Sequence, residues 1–541
     1  MTAGGWRLLP VNKLQKNPLF CLGLACGALF YLPLGLRALW DPGEGRIAEI
    51  AREMLERSDW LTPHLHGAAF LKEPPLMYWL TALALGVSGP SVLAMRFGCA
   101  AFGLLTVWVT YHLGKNWRNE RVGLLAAAML ATSLGFFIFT QYLTLDMVFT
   151  FWTTVALYAG TGLLVERSAQ RARRLLIFLV VGVSGGIMTR GWGALGLPAL
   201  TLLAVTLGQG RRPAMPKLPW KMALMCCGLL TLPWFIRASL MNPAFLHEYF
   251  VPRFPRLSFD VFLVLLIGFL PWIVFLPKAA VTWFAHRHAA PRRDPEGAAL
   301  VAWTCLVFIY CALLHSKGAG SLLPVFPALA LLVANEFDEA LGESDLEPTP
   351  PPPPWVGGGL AALIVIFFAA MVFLKVRPAV LSMGRPEWKV VFDQSDSLTL
   401  ALGVGIFVLV GVWGMRQTLS CLGGVLLVQV LLLTSASSLA PALDAFRSTR
   451  QIADRLESRD APGEQMVVYG LGNKIPSLSF YLRRVPVFLP SGSPQALHGL
   501  PAGSWGVADF SHWQTLRQSA PPSAFQLMNQ SGERVLFRKE R

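Results

Sequence analysis

The segment Trp40-Asp41-Pro42-Gly43-Glu44-Gly45-Arg46 puts two carboxylates and a guanidinium directly after an apolar run at 18–36. Such charges at a bilayer surface are costly unless they bind or catalyse something. Groups of the same kind recur at Lys72-Glu73, at Asp146 after Gln141-Tyr142-Leu143-Thr144-Leu145, at Arg190, and at Lys317 in His315-Ser316-Lys317-Gly318. The chemistry they suit is group transfer from a lipid phosphate. Cations such as Arg190, Lys72 and Lys317 can neutralise a phosphate leaving group. An opposing carboxylate, from Asp41, Glu44 or Asp146, can orient or deprotonate an acceptor, or hold a metal. A lone charge at a helix end is more often a snorkelling anchor or a surface ion pair, the role expected of Arg37, Arg52 and Arg96.

These groups must be positioned by membrane-spanning helices. The chain has 541 residues, of which 54% are hydrophobic and 14% charged. A soluble protein would carry roughly 25% charged residues. Apolar blocks recur at 18–36, 92–114, 122–139, 146–165, 174–189, 192–208, 221–238, 259–277, 298–315, 320–337, 355–375, 398–414 and 419–440. Each suits a helix that crosses a bilayer, about thirteen in all. The segment 74–88 is short, opens with Pro74-Pro75 and carries Tyr78 and Trp79, so it is expected to lie at the interface.

The net charge of +15 is accounted for by lysines and arginines in loops between spans rather than by binding of nucleic acid. With 74–88 not crossing and the N-terminus inside, Lys115/Arg118/Arg121, Arg167/Arg171/Arg173/Arg174, Arg211/Arg212/Lys217/Lys221 and Lys278/Arg287/Arg292/Arg293 fall on the cytoplasmic side. The candidate carboxylates then meet on the outer face. The N-terminal segment reads as a retained anchor. The eight cysteines lie in apolar segments with no metal-ligand or disulfide spacing. No metal site is indicated, and a divalent cation stays open as a cofactor.

The tail, 442–541, is a different material. A helical pattern at Phe446, Ile452, Ala453 and Leu456 is followed by short apolar runs at 466–469, 485–489, 505–508 and 534–537, separated by glycine and proline. This predicts a small soluble α/β domain, outside the membrane because the number of spans is odd. The expected division is 1–441 for the membrane domain, with an outer loop at 37–91, and 442–541 for the outer domain.

The stretches Arg46 to Met54, Lys72 to Trp79, Asp146-Met147, Thr189-Arg190-Gly191, Leu232-Pro233-Trp234, Pro271-Trp272, Ser316-Lys317 and Pro324 to Pro327 resemble, in their order, the GT-C membrane glycosyltransferases. The branch they resemble is that of the lipid A aminoarabinose transferases and protein-mannosyltransferase-like enzymes. The resemblance implies a GT-C-like all-α polytopic domain with an outer α/β domain. It implies a monomeric transferase in a bacterial cytoplasmic membrane. Such an enzyme passes a sugar from polyprenyl (undecaprenyl) phosphate to lipid A, another envelope glycan or protein, with inversion. Asp41 and Glu44 are then the base or acceptor-orienting groups, and Asp146 positions the acceptor or a metal. Lys72, Arg190 and Lys317 take the donor phosphate, Glu73 orients Lys72, and Arg46 and Tyr78 join the substrate-binding set.

The chain departs from the family pattern at several places. Gly43-Glu44 stands where Asp-Glu is usual, so the role of the family aspartate falls to Asp41 or Glu44. Lys72-Glu73 reverses the usual Glu-Lys. Ser321 stands for a tyrosine, and Arg253-Phe254 for a Glu-His pair, with His247-Glu248 nearby. These changes leave the sugar and the acceptor unassigned. A transporter or flippase would carry broken, charged helices near mid-membrane and often an internal repeat; neither is evident. A noncatalytic scaffold would tolerate loss of Asp41 and Asp146.

Overall fold

In lipid, the polar groups of the backbone must be satisfied internally, and helices do so within one segment. The computed structural model describes residues 17–209, 217–243, 245, 260–289, 295–313, 319–342, 353–376, 387, 390, 393–415, 418–458, 465–491, 497, 499–519 and 524–540. The chain opens with α1 (Pro18–Tyr31), α2 (Gly43–Arg57), a two-stranded hairpin of β1 (His64–Leu65) and β2 (Ala68–Ala69), and α3 (Leu76–Ser88). Next come α4 (Val92–Trp117), α5 (Glu120–Thr132), α6 (Leu134–Thr140), α7 (Leu145–Val165), α8 (Ala169–Arg190), α9 (Gly193–Gln209) and α10 (Trp220–Met241). The bundle is completed by α11 (Asp260–Gly268), α12 (Leu276–Ala289), α13 (Pro295–Leu313), α14 (Phe326–Leu341), α15 (Pro354–Val376), α16 (Asp396–Met415) and α17 (Thr418–Leu439).

Among the described residues, eight helices are long and apolar enough to cross a membrane, and the bent pair α5/α6 makes a ninth if counted as one span. The other expected spans fall on shorter apolar helices, including α1, the stretch Gly193–Thr206 of α9 and Ala299–Ile309 of α13. The segment expected at the interface is α3, 13 residues long and closed by Gly89 at φ +70. The 68° bend between α5 and α6 frees backbone groups at Ser133 and Leu134. Neighbours re-satisfy them: Leu134 N–H donates to Leu270 O at 3.0 Å, and the Ser133 hydroxyl donates to Leu130 O at 2.8 Å.

The tightest hairpin in the bundle, α7 against α8, needs small residues. A Cβ on Gly182 would stand 2.8 Å from Ala156 N, so glycine there lets the two backbones touch. Arg171, Arg173 and Arg174 lie in the first turns of α8 and Arg190 at its end. At 1.5 Å per residue these ends are about 25–30 Å apart, roughly the thickness of a bilayer core.

Helix α2 buries Ile47, Ile50, Ala51 and Met54 against Met77, Tyr78, Ala82 and Leu85 of α3. Its other side, which carries Glu49 and Glu53, is covered too. Glu49 is fully buried and receives two 2.7 Å bonds from Arg52, and Glu53 accepts from the backbone of Gly67 beside the hairpin. The helix is therefore clamped on both sides rather than floating on the interface.

Beyond a short turn, α18 (Asp444–Arg447), the tail forms α19 (Arg450–Glu457), β3 (Met466–Tyr469), α20 (Pro476–Leu482), β4 (Val487–Leu489), β5 (Trp505–Asp509), α21 (Phe510–Ser519), β6 (Phe525–Ser531) and β7 (Arg534–Lys539). The sheet order is β4-β3-β5-β7-β6. Strand β3 runs parallel to β4 and β5, and β7 is antiparallel to β5 and β6. Helices α19 and α20 cover one face through Ile452, Leu456 and Leu478, while Trp513 and Leu516 of α21 cover the other. The four apolar runs read from the sequence lie on β3, β4, β5 and β7; β6 is additional.

Candidate active site

Glu44 lies in the first turn of α2 and is fully buried. Six N–H groups grip its carboxylate. Arg37 donates twice, at 2.5 and 3.1 Å, and Arg96 twice, at 2.8 and 2.9 Å. The backbone N–H groups of Trp40 and Leu143 supply the others, at 2.9 and 2.8 Å. Burial alone would raise its pKa, but the Arg96 and Arg37 charges outweigh it and hold the carboxyl at about 2. Arg37 also packs against the rings of Trp40 and Tyr142, at 4.3 and 4.5 Å, which meet each other edge-on. Arg37 and Arg96, expected as snorkelling or surface charges, are buried partners of this carboxylate, because the loop after α1 folds back over α4. Arg52 is likewise 8% exposed rather than a surface charge.

Asp41 points the opposite way, into the α/β domain. Its Oδ1 accepts from Ser477 N–H at 2.9 Å and its Oδ2 from Ser477 Oγ at 2.5 Å, with Arg534 Nη1 at 3.5 Å. Burial pushes the carboxyl up to about 6, against the pull of Arg534 and the Ser477 hydrogen bonds. The folded protein thus holds this proton more tightly than the unfolded chain, whose carboxyl sits near 3.8. Its contribution to stability is therefore fully present at low pH, falls as pH rises from about 4 to about 6, and is flat above. In detergent, the melting temperature of wild type minus that of Asp41→Asn should fall over that window and then level off. A difference that stays constant from acid to neutral pH would refute the raised pKa.

Asp146 and Arg190 form an ion pair between the start of α7 and the end of α8. Thr144 caps α7, accepting from Asp146 N–H at 3.2 Å while its hydroxyl donates to Asp146 Oδ2 at 3.1 Å. Gly320 lies against the carboxylate and leaves no room there for a side chain. The pair keeps partial contact with solvent, with Asp146 at 14% and Arg190 at 25% side-chain exposure. In this respect it differs from the sealed Asp41 and Glu44.

A third group gathers at the start of α3. The Tyr78 hydroxyl donates to Glu73 Oε2 at 3.0 Å, and burial with the Glu73 charge keeps it firmly protonated. Arg46 lies over the Phe70 ring at 5.6 Å, and that ring meets Tyr78 edge-on. Lys72 is exposed. Packing draws the second and third groups to one end of the bundle. Leu145 and Val148, which flank Asp146, share a cluster with Ile47, Met77 and Tyr78, and Leu76 and Trp79 of α3 rest on Ile187 and Met188, just before Arg190.

Lys317 lies outside the described residues, as do His247-Glu248 and Arg253-Phe254. Among the described residues no three His, Cys, Asp or Glu side chains gather as a metal-holding group. The sequence reading missed Ser477, Tyr481 and Arg534. Nothing in their local sequence ties them to a segment more than 400 residues earlier.

A family model described as dolichyl-phosphate-mannose-protein mannosyltransferase matches residues 19–249. The undecaprenyl phosphate-alpha-4-amino-4-deoxy-L-arabinose arabinosyl transferase of Pectobacterium carotovorum subsp. carotovorum (strain PC1) is 33% identical over 323 residues, covering 57% of this chain and 56% of the relative. The chain thus spans just over half the length of the curated relatives it matches. The crystal structure of ArnT from Cupriavidus metallidurans in the apo state superposes with a TM-score of 0.79 at 19% identity, over 97% of this chain and 98% of that one. The same protein bound to undecaprenyl phosphate gives a TM-score of 0.75 at 21% identity, over 96% and 98%. Across just over half of its length in sequence, and over nearly all of it in fold, this multi-pass membrane chain is similar to the GT-C membrane glycosyltransferases of the lipid A aminoarabinose transferase type.

Proposed function

We propose that this chain is a glycosyltransferase that moves a sugar from undecaprenyl phosphate to lipid A, another envelope glycan or protein on the outer face of the bacterial cytoplasmic membrane. The observation that carries the reading is the partly exposed Asp146–Arg190 pair, drawn to the same end of the bundle as Arg46, Glu73 and Tyr78. The names of the relatives supply the donor class. The N-terminus lies in the cytoplasm and the α/β domain, 442–541, in the periplasm. Support comes from α8, whose arginine-rich start and Arg190 end are about a membrane thickness apart.

In the mechanism, the donor phosphate draws the guanidinium of Arg190 away from Asp146, with Lys72, Arg46 and Lys317 adding positive charge. The freed Asp146 carboxylate accepts the proton of the acceptor hydroxyl or amine. The acceptor atom bonds to the sugar's anomeric carbon as the bond from that carbon to the phosphate oxygen breaks, and the electron pair leaves with the lipid phosphate. Tyr78 keeps Glu73 fixed beside Lys72. Glu44, ionised down to about pH 2 and gripped by six donors, is a scaffold rather than a base.

Purified protein in proteoliposomes, given labelled polyprenyl-phosphate sugars and an envelope lipid extract, should form labelled product with one donor class. Failure with every donor, from protein shown to be folded, would sink the transferase and favour a scaffold or transporter.

A further inference from the structure

Asp41 and Glu44 lie on one short segment, yet each is held by a different body. Glu44 ties it to the membrane helices through Arg37, Arg96 and the N–H of Leu143. The other side is tied to the C-terminal domain. Asp444 accepts from Ala38 N–H at 2.8 Å and from Trp40 Nε1–H at 2.7 Å. Leu39 N–H donates to the Tyr481 hydroxyl at 2.9 Å, and Asp41 N–H donates to Arg447 O at 2.8 Å. Asp41 itself takes both the N–H and the hydroxyl of Ser477, and Thr449 bonds the same hydroxyl at 2.7 Å. The backbones also touch. A Cβ on Gly45 would stand 2.5 Å from Ser477 N, so the first turn of α2 rests directly on the first turn of α20. Arg46 is the next residue.

The geometry points to Asp41 as a positioning residue: a rivet that fastens the C-terminal domain to the start of α2 and so fixes where Arg46 stands for the transfer reaction. The domain is then a working wall of the site rather than an appendage. Its second contact with the outer loop, the Phe488 ring against His66 at 4.5 Å, agrees with this placement. Asp41 has a side-chain exposure of 1%, which denies it contact with a substrate. It acts through Ser477 and Arg46. Loss of the rivet leaves the Ser477 N–H and Arg534 buried without their acceptor, and displacement of a binding group by about 1 Å can cost on the order of 100-fold.

The kinetic arm of the test rests on the transferase reading; the exchange arm does not. Transfer and amide hydrogen exchange would be measured on the full chain in proteoliposomes, for wild type, Asp41→Ala, Asp41→Asn, Ser477→Ala and the double variant Asp41→Ala/Ser477→Ala. Asp41→Ala is expected to lower kcat by about 10- to 100-fold. Asp41→Asn should stay within about threefold of wild type, because the amide still accepts from Ser477 N–H and can donate to its Oγ; loss of an acid–base group would cost about 100-fold or more. The double variant should be no worse than Asp41→Ala alone. Exchange should rise together in 43–50 and 476–482 in Asp41→Ala. An Asp41→Asn variant as inactive as Asp41→Ala would overturn the proposal by giving Asp41 a proton-transfer role. Unchanged exchange in Asp41→Ala would overturn it by removing the rivet. If wild type transfers nothing, the transferase reading fails and the exchange result still decides the rivet.

Discussion

Asp146→Asn is expected to lower sugar transfer by about 10²- to 10⁴-fold in kcat, with the protein still folded and the donor still bound. The substitution keeps the size of the side chain and an oxygen that can accept from the Thr144 hydroxyl, so the cap of α7 survives. What is lost is the capacity to take a proton. The loss falls on kcat rather than KM because the carboxylate is needed only once the acceptor begins to give up its proton. Arg190→Gln should act differently. On the proposed mechanism it removes a cation that both binds the donor phosphate and stabilises the leaving group, so KM is expected to rise as kcat falls. Steady-state transfer kinetics on the two variants would test the assignment. Full activity in Asp146→Asn would remove Asp146 from the chemistry.

Glu44→Gln is the stability counterpart. Among the described residues, Glu44 is the single carboxylate paired with the two buried guanidiniums of Arg37 and Arg96, the latter at 0% exposure. An amide of the same shape has one acceptor oxygen in place of two and no charge, so it leaves Arg37 and Arg96 facing each other without a counter-charge. Removing one partner from a buried ionic cluster costs about 3–5 kcal/mol. The variant should therefore melt well below wild type in detergent, or fail to run as a single species on size exclusion. Arg96→Met should do comparable damage, because Glu44 then stays buried with two of its six donors gone. A Glu44→Gln protein that melts with wild type would show that the cluster contributes little. Asp146→Asn and Glu44→Gln together separate a carboxylate that works from one that holds.

Much of the architecture was legible in the chain itself. Apolar block length pointed to membrane helices, and the change in material near 442 pointed to an α/β tail. The short apolar runs at 466–469 and 505–508 became β3 and β5. The basic residues at the start of α8 and Arg190 at its end were already separated by a helix of membrane length. Asp146, Arg190 and Glu73 were picked out because a charge at a membrane edge is informative by residue type alone, whereas Tyr78 joined the set through the family resemblance.

Tertiary structure alone decided what each carboxylate faces. Asp41 and Glu44 look equivalent in sequence, three positions apart at the start of one amphipathic helix. In the fold, Glu44 turns toward Arg37 and Arg96 and is held at about pH 2, while Asp41 turns toward Ser477 and Arg534 and is raised to about 6. Arg96 has the sequence context of a surface anchor, yet it is fully buried because the loop after α1 closes over it. Sequence determines residue type, periodicity and span length because these are local properties. A pKa, a buried ion pair or a domain contact is set by neighbours brought from hundreds of residues away, and the desolvation and charge those neighbours impose have no trace in the local chain.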